Sequence, residues 1–85
     1  MRQFVYTITD PQGIHARPAG ELVKKAKQFK SKMTLIKNEK EADCKRVFSI
    51  MSLAVKKADV VELVIEGDDE EEAAQAMEEF MKKNL

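Results

Sequence analysis

Phe4, Tyr6 and Ile8 alternate with polar or smaller residues, the period-two pattern of a strand with one face buried. Asp10-Pro11-Gln12-Gly13 interrupts it, since proline fixes its φ and glycine permits a sharp turn, so a loop carries the chain to His15. From Ala16 onward apolar residues return at three- and four-residue spacing: Ala19, Leu22, Val23, Ala26 and Phe29 predict one face of an amphipathic helix. Lys24, Lys25, Lys27 and Lys30 fall on the rest of its surface. Met33, Leu35 and Ile36 predict a second strand, Ala42 and Cys44 a short third. Between them Lys37-Asn38-Glu39-Lys40 suits a hairpin turn, because asparagine tolerates the left-handed conformation. The apolar run from Val47 to Leu53 fits a strand or a short helix, and propensity does not choose. Val61, Leu63 and Ile65 alternate within the β-branched stretch 60–66, a further strand that Gly67 ends. Ala73, Met77, Phe80 and Met81 then lie on one face of a last helix. Asp69 and Glu72 have the spacing of a capping box, and Glu70, Glu71 and Glu72 suit the positive end of its dipole.

Strand, helix, hairpin, an unsettled segment, strand and helix describe an α+β two-layer sandwich, a sheet with helices on one face. At 85 residues the chain is expected to form one domain, 1–85, whose shallow core favours surface chemistry over a deep cleft. Its net charge is zero, which argues against a general nucleic-acid or anionic-membrane binder, but the charges are segregated. Residues 1–58 hold thirteen Lys or Arg against five Asp or Glu, whereas 59–85 hold two against ten, so a basic face is expected for an acidic partner. The single cysteine, Cys44, and the single histidine exclude an internal disulfide and a Cys/His zinc site; no metal and no cofactor is expected. Neither a secretion signal nor a membrane-length apolar run is present, and a reducing, cytoplasmic setting is expected.

His15 sits where the loop meets the first helix. A helix N-terminus offers unpaired N–H groups and a partial positive charge, which disfavours an imidazolium and welcomes an attached anion. Those properties suit a histidine that accepts a phosphoryl group. Arg17 adds a guanidinium fork able to grip phosphate oxygens, and Pro18 falls in the first turn, where its missing N–H removes no helical bond. The amides of Ala16 and Arg17 are left for the phosphate, and Ala19 and Gly20 keep the approach uncrowded.

The continuous string Gly13-Ile14-His15-Ala16-Arg17-Pro18-Ala19 resembles the active-site signature of HPr, the histidine-containing phosphocarrier family of the bacterial phosphoenolpyruvate-dependent sugar phosphotransferase system. The resemblance covers essentially the whole chain and includes a looser second motif from Lys45 to Leu53. It implies an open-faced β-sandwich, βαββαβα, with a four-stranded antiparallel sheet covered on one face by three helices, and it makes the segment from Val47 to Leu53 a short helix. By the resemblance His15 would take a phosphoryl group on Nδ1 from phosphorylated enzyme I and pass it to a histidine of a sugar-specific enzyme IIA. The protein would be a phosphoryl carrier, a monomer without turnover of its own. Val47, Phe48 and Met51 would form the apolar centre of the docking surface beside Gly20, with Lys24, Lys27, Lys45 and Arg46 as a basic rim that makes association salt-sensitive.

Departures from the family pattern sharpen these expectations. Arg46 stands where many Gram-positive relatives carry a regulatory serine, so phosphorylation there is expected to be absent, although Ser49 and Ser52 lie close by. Glu39, Ala54 and Ala58 occupy positions where many relatives have glycine. Two other readings compete: a specialised paralogue in a nitrogen-related or dihydroxyacetone-type relay, and an unphosphorylated α+β binding module, for example one that recognises RNA. The last requires aromatic side chains exposed on the sheet.

Overall fold

The computed structural model describes residues 1–85 and resolves the alternating and helical patterns into seven elements. These are β1 (Arg2–Thr7), α1 (Ala16–Ala26), β2 (Lys32–Lys37), β3 (Lys40–Asp43), α2 (Val47–Met51), β4 (Val60–Glu66) and α3 (Glu70–Asn84). The order is βαββαβα, and the sheet runs β1-β4-β2-β3 with every pair antiparallel. The ambiguous apolar segment is a helix, as the family resemblance implies.

The most regular alternation belongs to β4, which lies between β1 and β2. Leu63 faces Phe4 on one side and Leu35 on the other, and Ala42 continues that row onto β3. Ile65 pairs with Met33, and Val61 with Tyr6. Onto this face pack Leu22, Val23 and Ala26 of α1, Ile50 of α2, and Ala73, Met77 and Met81 of α3 in one continuous core. Burying each of the larger side chains contributes about 1.5–3 kcal/mol. The opposite face carries Gln3, Val5, Thr7, Lys32, Thr34, Ile36, Glu62 and Val64, without an aromatic ring and without a covering element. Phe4 and Tyr6 point inward instead and pack against the core.

Some boundaries depart from the periodicity. α1 ends at Ala26 rather than reaching Phe29, because the Gln28 and Phe29 amides turn back to Lys25 and Ala26 carbonyls in a tighter coil. Phe29 still packs on the core from that turn. Ile8 lies just past β1 but exchanges backbone bonds with Asp59 and Ala58, and the Cys44 amide just past β3 donates to Met33 O at 3.0 Å. Burial, together with the charge of Asp43, pushes the Cys44 thiol pKa up to about 12, so it stays a neutral core side chain.

The capping box between Asp69 and Glu72 does not form. Asp69 occupies the N-cap position, but its carboxylate accepts the Lys30 amide (2.8 Å), the Ser31 amide (2.9 Å) and the Ser31 hydroxyl. A distant segment with two free amides and a buried hydroxyl outcompetes the local cap, and α3 is thereby clasped to the end of the turn after α1. Ala54 and Ala58 adopt positive φ, +50° and +74°, whereas at the hairpin Asn38 takes the positive φ (+58°) and spares Glu39. Lys37 spans this region, donating to Ala54 O at 2.8 Å and pairing with Asp59 at 2.9 Å.

Candidate functional site

The loop before α1 is held from three directions. The Asp10 carboxylate accepts the Gln12 amide (2.8 Å), and the Gly13 amide closes a turn on Asp10 O. Gly13 has φ +66°, and a β-carbon there would overlap the Val55 carbonyl and Lys56 Cα, so the position demands glycine for both backbone angle and space. Ile14 is buried, and its amide donates to that same Val55 carbonyl at 3.1 Å. The amides of Thr9 and Asp10 both donate to Leu85 O, tying the end of α3 to the loop.

This scaffold delivers His15 to the N-cap position of α1 in extended backbone conformation, half-buried, with its imidazole making no cap bond. The first amide that bonds inside α1 is that of Ala19, to His15 O at 3.0 Å. Pro18 has no N–H, and the Ala16 and Arg17 amides find no acceptor within the protein. The first turn holds no acidic residue. Arg17 is highly exposed, 86%, with its Nε 3.5 Å from the Glu21 carboxylate one turn along. Together these groups border an open depression of about 270 Å³, to which Asp10 contributes from the loop and Lys83 and Asn84 from α3.

The other residues singled out in the sequence divide by position. A β-carbon at Gly20 would meet nothing within 4 Å, so this part of α1 is flat and open; Lys24 is exposed on the same helix and Lys27 at its C-cap. α2 packs against α1, with Ile50 buried, Val47 half-buried, Met51 exposed, and Phe48 82% exposed. Phe48 is more exposed than any other large apolar side chain of the protein, and Met51 is exposed on the same short helix. Arg46, at the N-cap of α2, is exposed and makes no cap bond. Lys45 is partly buried, and its ammonium donates to Phe29 O at 2.7 Å, so it braces the turn after α1 as well as lying near the basic rim. Ser49 accepts the Asp43 amide through its hydroxyl, and the Ser52 hydroxyl donates to Ser49 O at 2.6 Å.

Glu21, Lys83, Asp10 and Asn84 were not singled out from the sequence. The spacing of Arg17 and Glu21, four residues apart on a helix, was a signal for the first. Nothing local connects Lys83 to His15, 68 positions away, because only the docking of α3 beside the loop brings them to one depression.

An unengaged histidine beside open helix amides, at a shallow depression on a helix-covered sheet, is an arrangement suited to holding an anion at the surface. Residues 2–83 match the model of the PTS HPr component phosphorylation site family. The chain is 38% identical to the phosphocarrier protein HPr of Mycoplasma capricolum over 81 residues, covering 95% of this chain and 91% of that one. With the HPr of Lysinibacillus sphaericus it shares 42% identity over 77 residues, 91% and 88% of the two chains. Its fold superposes on crystalline HPr from Thermoanaerobacter tengcongensis with a TM-score of 0.93 at 38% identity, covering 98% and 93%. The chain belongs to the HPr family, the phosphocarriers of the phosphotransferase system.

Proposed function

We propose that His15 is the phosphoryl acceptor and that the protein relays the group from phosphorylated enzyme I to enzyme IIA proteins. The observation that carries this reading is the unengaged imidazole beside the unpaired Ala16 and Arg17 amides. The Nδ1 lone pair attacks phosphorus in line, and the N–P bond of the donor phosphohistidine breaks, returning its electron pair to the donor ring. A new N–P bond then holds the group over the helix amides, with Arg17 on its oxygens. Onward transfer repeats the step with His15 as leaving group. Positioning and charge complementarity supply the catalysis, and each transfer exchanges one N–P bond for another between a phosphohistidine and a free imidazole, so the carrier needs no turnover of its own.

Partners dock on the exposed face of α1 and α2. Phe48 and Met51, flanked by Val47, form its apolar centre; Gly20 leaves room for approach, and Lys24, Lys27, Lys45 and Arg46 steer acidic partners. Arg46 has no hydroxyl to phosphorylate, and its charge at the start of α2 opposes the regulatory modification known at that position in relatives. The setting is cytoplasmic and the carrier acts as a monomer, with neither metal nor cofactor.

Incubation with enzyme I, magnesium and phosphoenolpyruvate, followed by intact-mass measurement, tests the assignment. An acid-labile phosphoryl adduct is expected in the native protein and absent in His15→Ala. An adduct that persists in the variant refutes His15 as the acceptor. Treatment with an HPr kinase and ATP is expected to add no phosphoserine.

A further inference from the structure

The depression around His15 holds two cations, Arg17 and Lys83, and two carboxylates, Asp10 and Glu21. The carboxylates are not equivalent. Asp10 is engaged by the Gln12 amide in its own turn, whereas the one cation paired with Glu21 is Arg17, 3.5 Å away. Lys83 has no carboxylate partner. The guanidinium nearest His15 in sequence therefore rests on a carboxylate before any phosphoryl group arrives.

We propose that Glu21 is a positioning residue that holds Arg17 in the unphosphorylated carrier and competes with the phosphoryl group for it, keeping phospho-His15 at a higher transfer potential than free Arg17 would. The inference rests on His15 being the acceptor. The pair is suited to release: both side chains are substantially exposed, and an arginine preceding a glutamate by four residues is the weaker of the two helical orders. A phosphoryl group carrying nearly two negative charges and offering several oxygens wins the guanidinium, but only after displacing the carboxylate. Glu21 then remains beside the depression as an unpaired like charge. Both effects act in one direction, lowering the stability of the phosphorylated state and easing departure of the group.

The phosphorylation equilibrium at a fixed ratio of phosphoenolpyruvate to pyruvate, with enzyme I as catalyst, reads this directly. Docking alone changes the rate of reaching equilibrium and leaves its position untouched. Glu21→Gln is expected to raise the equilibrium constant for phosphorylation about two- to fivefold at low salt, an effect that shrinks as salt screens the charges. In an Arg17→Ala background the same substitution is expected to keep only the smaller part of its effect, the part that comes from like-charge repulsion. In the unphosphorylated protein the Arg17 side-chain Nε resonance is expected to move on Glu21→Gln. An unchanged equilibrium constant overturns the proposal, as does a Glu21→Gln effect that persists in full without Arg17, which would make Glu21 a mere background charge. A native protein that takes no phosphoryl group overturns the carrier reading itself. Failure of the Glu21 role alone leaves the native adduct intact.

Discussion

The two long helices begin in opposite ways. At the start of α3, Glu70, Glu71 and Glu72 fill the first turn; Glu70 accepts the Gly67 amide at 3.2 Å and pairs with the Met1 ammonium at 2.6 Å. The start of α1 has no acidic residue, its N-cap imidazole is unengaged, and the Ala16 and Arg17 amides are open. Both ends present unpaired backbone amides and the same dipole. The chain compensates one dipole with its own carboxylates and leaves the other uncompensated. A helix N-terminus becomes a place for chemistry, then, when the protein withholds the carboxylate that would otherwise neutralise it.

The largest effect is expected from erasing that contrast. Ala16→Glu places a carboxylate in the first turn of α1, as in α3, and should slow phosphorylation by enzyme I about a hundredfold while the fold gains about 0.3–1 kcal/mol from the dipole. Rapid-quench phosphorylation and thermal melting read the two effects, and an unimpaired rate would remove the distinction between the helix ends. A second test concerns exposed apolar surface, which the structure shows on α2. Phe48→Ala should change stability by no more than about 0.5 kcal/mol while weakening association with enzyme I about tenfold, measured by titration calorimetry.

The clasp at the far end should behave in the reverse manner, stabilising without taking part in transfer. Ser31→Ala removes the hydroxyl of the buried polar residue and is expected to cost about 1–2 kcal/mol in urea unfolding, with phosphorylation kinetics unaltered. Hydrogen bonds from Ser31 and Lys30 hold the Asp69 carboxyl below its ordinary value of 3.8. A lowered carboxyl stabilises the folded state fully above that ordinary value and loses its contribution as pH falls through the lowered one. Asp69→Asn should therefore be less stable than the native protein at neutral pH, with the difference closing below about pH 4.

Smaller gains are expected where the backbone is strained or loose. Ala58→Gly and Ala54→Gly relieve positive φ and should each stabilise by about 0.5–1 kcal/mol. Because Val55, between them, accepts the Ile14 amide, unchanged transfer kinetics in these variants would show that the strain serves no purpose in holding the His15 loop. Gly20→Ala adds a methyl group into open space on α1 and should stabilise by about 0.5–1 kcal/mol in chemical denaturation, with any loss of transfer rate reporting partner approach alone.

Much of the fold was legible because burial imposes periodicity. Val61, Leu63 and Ile65 alternate since only one face of β4 lies beneath the helices, and Leu22, Val23 and Ala26 repeat since one stripe of α1 is covered. The run from Val47 to Leu53 was not legible from propensity, because only Ile50 and Leu53 are buried while Phe48 and Met51 are exposed, so its apolar residues follow no single periodicity. Asp69 was misread as a local cap because a carboxylate's partners depend on which donors folding brings near, here the Lys30 and Ser31 amides.

By itself the sequence determined the type of every element but α2, their order, the charge segregation and the continuous string from Gly13 to Ala19, since each depends on neighbours along the chain. Tertiary structure decided the rest: the hold of Val55 on Ile14, the place of Lys83 beside His15, the engagement of Lys45 by Phe29 and the clasp of Asp69 on Ser31. Hydrogen bonds and ion pairs act over a few ångströms of space and are indifferent to distance along the chain, so their partners emerge only when the sheet and its helices have brought remote segments together.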